Sequence, residues 1–368
     1  MTDGPGRAPE PAQTGAPLQP APPPPIPSRD IPLAPTRRLL AASFDLLSRS
    51  GGDMRRASFY IGLIVLGTVG PFALASWGLL VIEMEQGIIV DVGQQSSVDG
   101  LFAFLGLLAF VGLVVAWVES RSLAITVLGS RMVDQPVSTR RALARSRRMF
   151  WSAILASFMA GIPVFFVQAT VSSVIAPMVG DAVDAASVIT STVVTALIGG
   201  PFAYVLAGVI LGDVDPFEAL RRSFRVFRAR KLAAAIVVVF ETITALLVLF
   251  GVGAGLDVVL RLFDGLGLGP DAGPIGLAST TIGVVAVTFA FGTLIFTVMA
   301  ITVAPQVVMF LGLTHATVGM DRVRPGGPDD PDIQRPGRRR FRWLTGSMLL
   351  GFVLGAGCLA LALMIMAG

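Results

Sequence analysis

Chemically reactive side chains are scarce in this chain of 368 residues. It has one cysteine, Cys358, and one histidine, His315, so it supplies neither a disulfide framework nor a Cys/His metal site. No stretch has the spacing of a nucleophile elbow, a phosphate-binding loop or a metalloprotease helix. We therefore predict a protein that is not an enzyme and that binds no metal and no cofactor.

Charge is scarce as well. Only 14% of the residues are charged, against about 25% in a soluble globular domain, whereas 54% are hydrophobic. Apolar runs of about 20 residues are long enough to cross a bilayer as helices. Seven such runs lie at residues 58–82, 101–121, 150–176, 187–211, 232–256, 281–312 and 343–366. The second can extend as helix to Leu128, and the sixth, which contains Pro305, is too long for one straight crossing. The composition predicts an all-α polytopic membrane protein with about seven transmembrane helices.

The few charges are unevenly placed, and this predicts the orientation of the chain. The segments 1–57, 119–149, 212–231 and 313–342 hold 27 of the 28 lysine and arginine residues. The loops between them hold one arginine and nine acidic residues. Because basic segments stay on the cytoplasmic side, we predict a multi-pass protein of the cytoplasmic membrane with a cytoplasmic N-terminus and an external C-terminus.

Composition also divides the chain into regions. Residues 1–35 hold 12 of the 25 prolines and have no apolar core, which predicts a disordered cytoplasmic tail. Residues 36–318 form the predicted membrane domain. A cytoplasmic basic linker, residues 319–342, then leads to a C-terminal transmembrane helix at residues 343–368.

A short basic amphipathic segment recurs before successive pairs of apolar runs. Ala142-Leu143 corresponds to Ala219-Leu220, and Arg145-Ser146 corresponds to Arg222-Ser223. A weaker copy contains Ser43-Phe44. We therefore predict three repeats, each an interfacial helix followed by a transmembrane hairpin, with one extra span at the C-terminus.

Arginines crowd one side of the two stronger copies. An amphipathic helix of this kind is typical of the inner leaflet, where arginines contact anionic phospholipid headgroups and Phe and Leu enter the bilayer. A membrane-protein partner or a second copy of the chain is the alternative, and we predict no nucleic-acid binding because no recognition motif accompanies the charge. The predicted lipid contacts are Arg140, Arg141, Arg145, Arg148, Arg221, Arg222, Arg225 and Arg228.

One acidic residue, Glu241, falls near the middle of the fifth apolar run. A charge at that depth costs about 2.5–3.5 kcal/mol, so the side chain must pair, take up a proton or face water. We expect it to face the bundle interior as a candidate polar site with Thr242 and Thr244, or else to be a protonated structural group that is hydrogen-bonded to Thr242, Thr244 or another helix. Glu119 and Arg121 are predicted to be charges that anchor the inner boundary of the second run.

Three segments carry a resemblance to a known family. The amphipathic helices FEALRRSFRVFR (217–228) and TRRALARSRRMF (139–150), with the long span VMAITVAPQVVMF (298–310), form this pattern. Over residues 36–320 it resembles bacterial multi-pass proteins that include the membrane domain attached to some glycerophosphodiester phosphodiesterases. The resemblance implies a membrane architecture and proximity to lipid. It implies no catalysis, because in the fused enzymes the chemistry belongs to a separate soluble barrel domain, which this sequence does not supply.

Two functions fit these features. The first is transport or handling of a lipid or small solute in a cavity between the repeats. The second is a non-catalytic scaffold or assembly factor that docks partners through its basic cytoplasmic helices. Water access to Glu241 separates them: a polar cavity at Glu241 favours transport, whereas a seal against the neighbouring threonines favours the scaffold.

Overall fold

The computed structural model describes residues 35–86, 92–133, 136–179, 194–195, 197–265, 273–317 and 357. Within these ranges the regular elements are helices and no strand is found. A short 3₁₀ turn spans Gly200–Phe202. The helices are α1 Thr36–Arg49, α2 Gly51–Thr68, α3 Gly70–Gln86, α4 Val92–Met132, α5 Thr139–Arg148, α6 Phe150–Val179, α7 Val205–Gly212, α8 Pro216–Ala229, α9 Lys231–Gly265 and α10 Gly273–Thr317.

Several sequence predictions lie outside the described residues. They are the proline-rich tail up to residue 34, the basic linker 319–342 and the C-terminal span, of which the structure describes Gly357 alone. The start of the fourth apolar run, residues 187–193, lies outside them too. These elements stay predictions, and so does the division into regions.

Long apolar helices confirm the all-helical membrane class. Three helical stretches, Phe102–Met132, Phe150–Val167 and Thr281–Thr314, have the length and composition to cross a bilayer. A fourth forms if α2 and the first part of α3 are one span, bent by 43°. The described part of the chain thus supports three to four spans, and the count of seven and the threefold repeat stay predictions.

Two Gly-Pro pairs coincide with breaks in the helices. Val69 separates α2 from α3 directly before Gly70-Pro71. At Gly200-Pro201 the chain forms the 3₁₀ turn before it continues as α7. Proline lacks the N–H that a helix needs and its ring clashes with the preceding turn, so a break at each pair follows from the sequence. Pro305, in contrast, lies inside the continuous helix α10.

The centre of the bundle is formed by α2, α4 and α10, which pack against one another. Glycine allows a close contact between two of them: a Cβ atom added at Gly292 of α10 would lie 2.9 Å from the Cα of Gly62 in α2. Such approach of two backbones is how membrane helices gain packing contacts without a hydrophobic driving force. Helices α4 and α10 of this packed centre carry the site described below.

The three amphipathic helices α1, α5 and α8 gather at one end of the bundle, here named the basic end. Leu39 of α1 contacts Gly312 near the end of α10, and Arg145 of α5 bonds Ile210 near the end of α7. At the same end Arg131 of α4 pairs with Asp53 of α2, with Nη2 and Oδ2 2.6 Å apart. The basic end is thus a common reference point from which the depth of a residue along each helix can be measured.

The start of α8 follows directly from its sequence. Asp215 accepts a hydrogen bond from the backbone N–H of Glu218, and Pro216 takes the first helical position. Both features stabilise a helix N-terminus, since the cap satisfies an otherwise unpaired donor and proline has none to lose. One face of α8 then buries Ala219, Arg222 and Ser223.

Candidate functional site

Glu241 of α9 joins two other helices through polar contacts. Its Oε1 lies 2.7 Å from Nη2 of Arg121 in α4. Its Oε2 accepts a hydrogen bond of 2.8 Å from Nε2 of Gln306 in α10. The charge that would be costly alone in an apolar span is thus paired with an arginine and hydrogen-bonded to an amide, as an intramembrane carboxylate requires.

The three residues lie at a similar depth from the basic end. Glu241 is ten residues after Lys231, the first residue of α9, or about 15 Å at 1.5 Å per residue. Arg121 and Gln306 each precede the last residue of their helix, Met132 and Thr317, by eleven residues. Half the thickness of a bilayer core is also about 15 Å, so the cluster lies near mid-depth of the predicted membrane region.

A cavity of about 510 Å³ opens beside this cluster. It lies between α4, α6, α9 and α10 and the segment broken at Gly200-Pro201, whose Gly199, Phe202 and Ala203 form part of its wall. Ligand pockets in proteins span about 300–1,000 Å³, so the space suits a small molecule. The polar residues on its wall are Arg121, Ser157, Thr195, Glu241, Thr242 and Gln306.

Two polar atoms of the cluster are buried without a hydrogen-bond partner in the described structure. One is Nε of Arg121 and the other is Oε1 of Gln306. Gln306 as a whole is 1% exposed, whereas the side chains of Arg121 and Glu241 are 20% and 28% exposed. A buried donor or acceptor without a partner costs free energy, so this arrangement leaves part of the bonding capacity of the site unused.

The predicted partners Thr242 and Thr244 do not seal Glu241. Thr242 lines the cavity, but its hydroxyl donates to the backbone oxygen of Val238 at 2.9 Å. Thr244 is half-buried and lies outside the cavity wall. The structure therefore brings Glu241 and Thr242 together at a cavity and leaves Thr244 apart, and Glu241 meets Arg121 and Gln306 instead.

Glu119 and Arg121 both lie within helix α4, and their role as charges at the inner boundary of the membrane stays a prediction. Helix α4 continues to Met132, so both residues lie well inside it. Because Glu119 and Arg121 are two positions apart, their side chains lie on different sides of the helix. Glu119 is 1% exposed, and its Oε1 lies 2.9 Å from Nε of Arg147, while Ser146 donates to its backbone oxygen at 3.4 Å. The pair that was expected to anchor one boundary belongs to two separate ion pairs.

The eight arginines predicted to contact lipid fall into two groups. Arg145 and Arg222 are 2% and 6% exposed. Arg145 donates from Nε and Nη2 to the backbone oxygen of Ile210 at 3.2 and 3.0 Å, and Arg222 pairs with Glu218 at 3.0 Å. Both are enclosed by protein because they follow the buried Ala142 and Ala219 by three residues, on the same helix face. The other arginines are exposed or partly exposed: Arg140, Arg141, Arg148, Arg221, Arg225 and Arg228.

Arg221, Arg225 and Arg228 line a second, shallower cavity of about 320 Å³ on α8, together with Leu220 and Phe224. This mixture of cationic and apolar side chains agrees with the predicted inner-leaflet contact, which stays a prediction. Among the described residues, no group of three or more His, Cys, Asp and Glu side chains could hold a metal ion.

Gln306 is the functional candidate that sequence reasoning missed, since a lone glutamine near Pro305 reads as a structural residue. The signal available was its polarity within an apolar run at the depth of Glu241. Arg121 was recognised as a charge, but its partner was not. Opposite charges at equal depth in two apolar helices would have suggested the pair.

Comparison with known proteins adds one partial similarity. Over 114 residues the chain is 36% identical to a protein of Pseudomonas aeruginosa named gluconate permease. The match covers 29% of this chain and 23% of that protein, so the chain spans about a quarter of its relative's length. No protein-family model and no solved structure matches. With its long apolar helices, the chain is a multi-pass membrane protein.

Proposed function

We propose that this protein transports a small polar solute across the membrane, with the cavity beside Glu241 as the solute site. The observation that carries the proposal is the position of an Arg–Glu pair on the wall of a 510 Å³ cavity between long apolar helices. Ionisable residues inside membrane segments commonly mark substrate pathways. Their insertion costs free energy, so they are rare where they have no function.

Two further features support transport. The cavity wall includes the helix break at Gly200-Pro201, and broken helices near mid-membrane line binding sites in many transporters. The partial similarity to a protein named gluconate permease points to the same class and makes gluconate, a small hydroxylated organic anion, the first solute to test. We propose no catalytic role for the chain.

The scaffold alternative predicted that Glu241 would be sealed against threonines. Instead its side chain is 28% exposed and borders open space, which favours transport over a purely structural role. The exposed arginines of α5 and α8 are proposed to hold the basic end against anionic headgroups on the cytoplasmic side. This placement of the basic end corresponds to the predicted orientation, in which the N-terminus is cytoplasmic.

Uptake into vesicles tests the proposal. Protein reconstituted in liposomes should accumulate radiolabelled gluconate or a related small organic acid faster than protein-free liposomes. Arg121→Gln should lower the rate by about tenfold or more, because a hydrogen bond to a charged group contributes about 1.5–3 kcal/mol and 1.4 kcal/mol corresponds to tenfold.

Asp53→Asn is the matched control, since it removes an Arg–carboxylate pair at the basic end, outside the cavity. It should leave uptake unchanged. Uptake that is absent for a broad panel of sugars, organic acids and amino acids, or equal in wild type and Arg121→Gln, would overturn the transport proposal.

A further inference from the structure

We infer that the ligand of this cavity is a small organic carboxylate that binds by displacing Glu241 from Arg121. The inference deepens the proposed transport function and rests on it for the passage of the ligand across the membrane. Its starting point is chemical: the group that Arg121 already holds, at 2.7 Å, is itself a carboxylate on the cavity wall.

Arg121 is the cationic residue among the described residues of the cavity wall. A planar guanidinium binds a carboxylate through two parallel N–H groups, which gives such a site both geometry and charge selectivity. Here Nη2 contacts Glu241, while Nε is buried without an acceptor. A carboxylate that approached Arg121 through Nε and a terminal nitrogen would satisfy the donor that Glu241 leaves unused.

The Arg121–Glu241 pair is open enough to exchange partners. The two side chains are 20% and 28% exposed and lie on the cavity wall, so a ligand in the cavity can reach the pair. Glu241 does not become isolated when it leaves, because Gln306 donates to its other oxygen at 2.8 Å. The buried Glu119–Arg147 pair, with side chains 1% and 8% exposed, has no such freedom.

It follows that Glu241 acts as an internal competitor of the ligand. Only the fraction of molecules in which Arg121 is released from Glu241 can bind, and the apparent dissociation constant is the intrinsic value divided by that fraction. If about one molecule in ten has Arg121 released, removal of the competing charge raises the apparent affinity about tenfold. A site that used Glu241 to hold the ligand would respond in the opposite direction.

The experiment measures binding to the full-length protein purified in detergent, by isothermal titration calorimetry. The probes are gluconate, lactate and hexanoate as carboxylates, and sorbitol as a neutral polyol. In wild type we expect at least one carboxylate to bind and sorbitol not to bind. Glu241→Gln should bind the same carboxylate about tenfold more tightly, and Arg121→Gln should show no binding.

Asp53→Asn, which removes a carboxylate from a different arginine at the basic end, should leave the affinity unchanged. If Arg121→Gln does not yield folded protein, Arg121→Lys keeps the charge without the planar fork and should weaken binding. Two results would overturn the inference. One is that Glu241→Gln binds the carboxylates no more tightly than wild type, or not at all. The other is that sorbitol binds as well as the carboxylates do.

Binding and transport are measured separately, so their failures can be told apart. Tighter binding of a carboxylate by Glu241→Gln without uptake in vesicles would uphold the displacement of Glu241 and contradict transport. Uptake by wild type, with equal affinities in wild type and Glu241→Gln, would uphold transport and contradict the displacement.

Discussion

Two of the Arg–carboxylate pairs of helix α4 involve residues only two positions apart, Glu119 and Arg121, yet have opposite surroundings. Glu119 and its partner Arg147 are almost fully enclosed, with side chains 1% and 8% exposed. Arg121 and its partner Glu241 border a cavity and are 20% and 28% exposed. The comparison teaches that an ion pair within a membrane span is not by itself evidence of a site. A pair becomes a candidate site only where open space lies beside it.

The largest expected effect is on the enclosed pair. Glu119→Ala breaks the Glu119–Arg147 pair, and breaking a buried ion pair typically costs about 3–5 kcal/mol in the free energy of unfolding. Reversible unfolding of the protein in mixed micelles should show this loss. The double variant Glu119→Leu/Arg147→Leu should recover most of it, because no charge is left unpaired. A single variant as stable as wild type would contradict the structural role of this pair.

An intermediate effect is expected at the buried arginines of the amphipathic helices. Arg145→Ala removes two hydrogen bonds to the backbone oxygen of Ile210 and should cost about 1.5–3 kcal/mol. Arg140→Ala, on the exposed side of the same helix, is the matched control and should leave the unfolding free energy unchanged. Equal losses for both variants would show that the enclosure of Arg145 has no energetic consequence.

The smallest effect on stability is expected at the open pair. Glu241→Gln should lower the free energy of unfolding less than Glu119→Ala does, because the Arg121–Glu241 pair borders a cavity and is not enclosed by protein. Unfolding measured beside Glu119→Ala checks the contrast directly. If Glu241→Gln proved as destabilising as Glu119→Ala, the open pair would be a structural element like its neighbour.

The sequence predicted the parts of this account that depend on local chemistry. The apolar runs predicted long helices, and the breaks at Gly70-Pro71 and Gly200-Pro201 follow from the chemistry of proline. The cap at Asp215 likewise follows from local chemistry, since an acidic side chain and the proline after it both favour a helix start. These features need no knowledge of what each helix contacts.

The faces of α4 and α10 that meet Glu241 could not be read from the sequence, because α4, α9 and α10 are apolar on all sides. A helix with one apolar stripe shows which face is buried, whereas a helix that is apolar all round gives no such direction. Arg121 and Gln306 could therefore not be assigned to the face that meets Glu241.

For Arg145 and Arg222 a signal did exist. Both copies of the repeat place Ala three residues before the arginine and Ser directly after it, and all three residues share the buried face. Small residues around an arginine indicate close packing against a neighbouring helix.

The most direct test of the open cavity compares the access of water to the Arg121–Glu241 pair and to the Glu119–Arg147 pair. The native cysteine, Cys358, is replaced by serine, and single cysteines are placed at Ser157, on the cavity wall, or at Ser146, beside the enclosed Glu119. A membrane-impermeant thiol reagent applied to both sides of the membrane should modify Ser157→Cys and leave Ser146→Cys intact. Modification of neither, or of both at equal rates, would contradict the claim that the Arg121–Glu241 pair, unlike its neighbour, faces an open cavity.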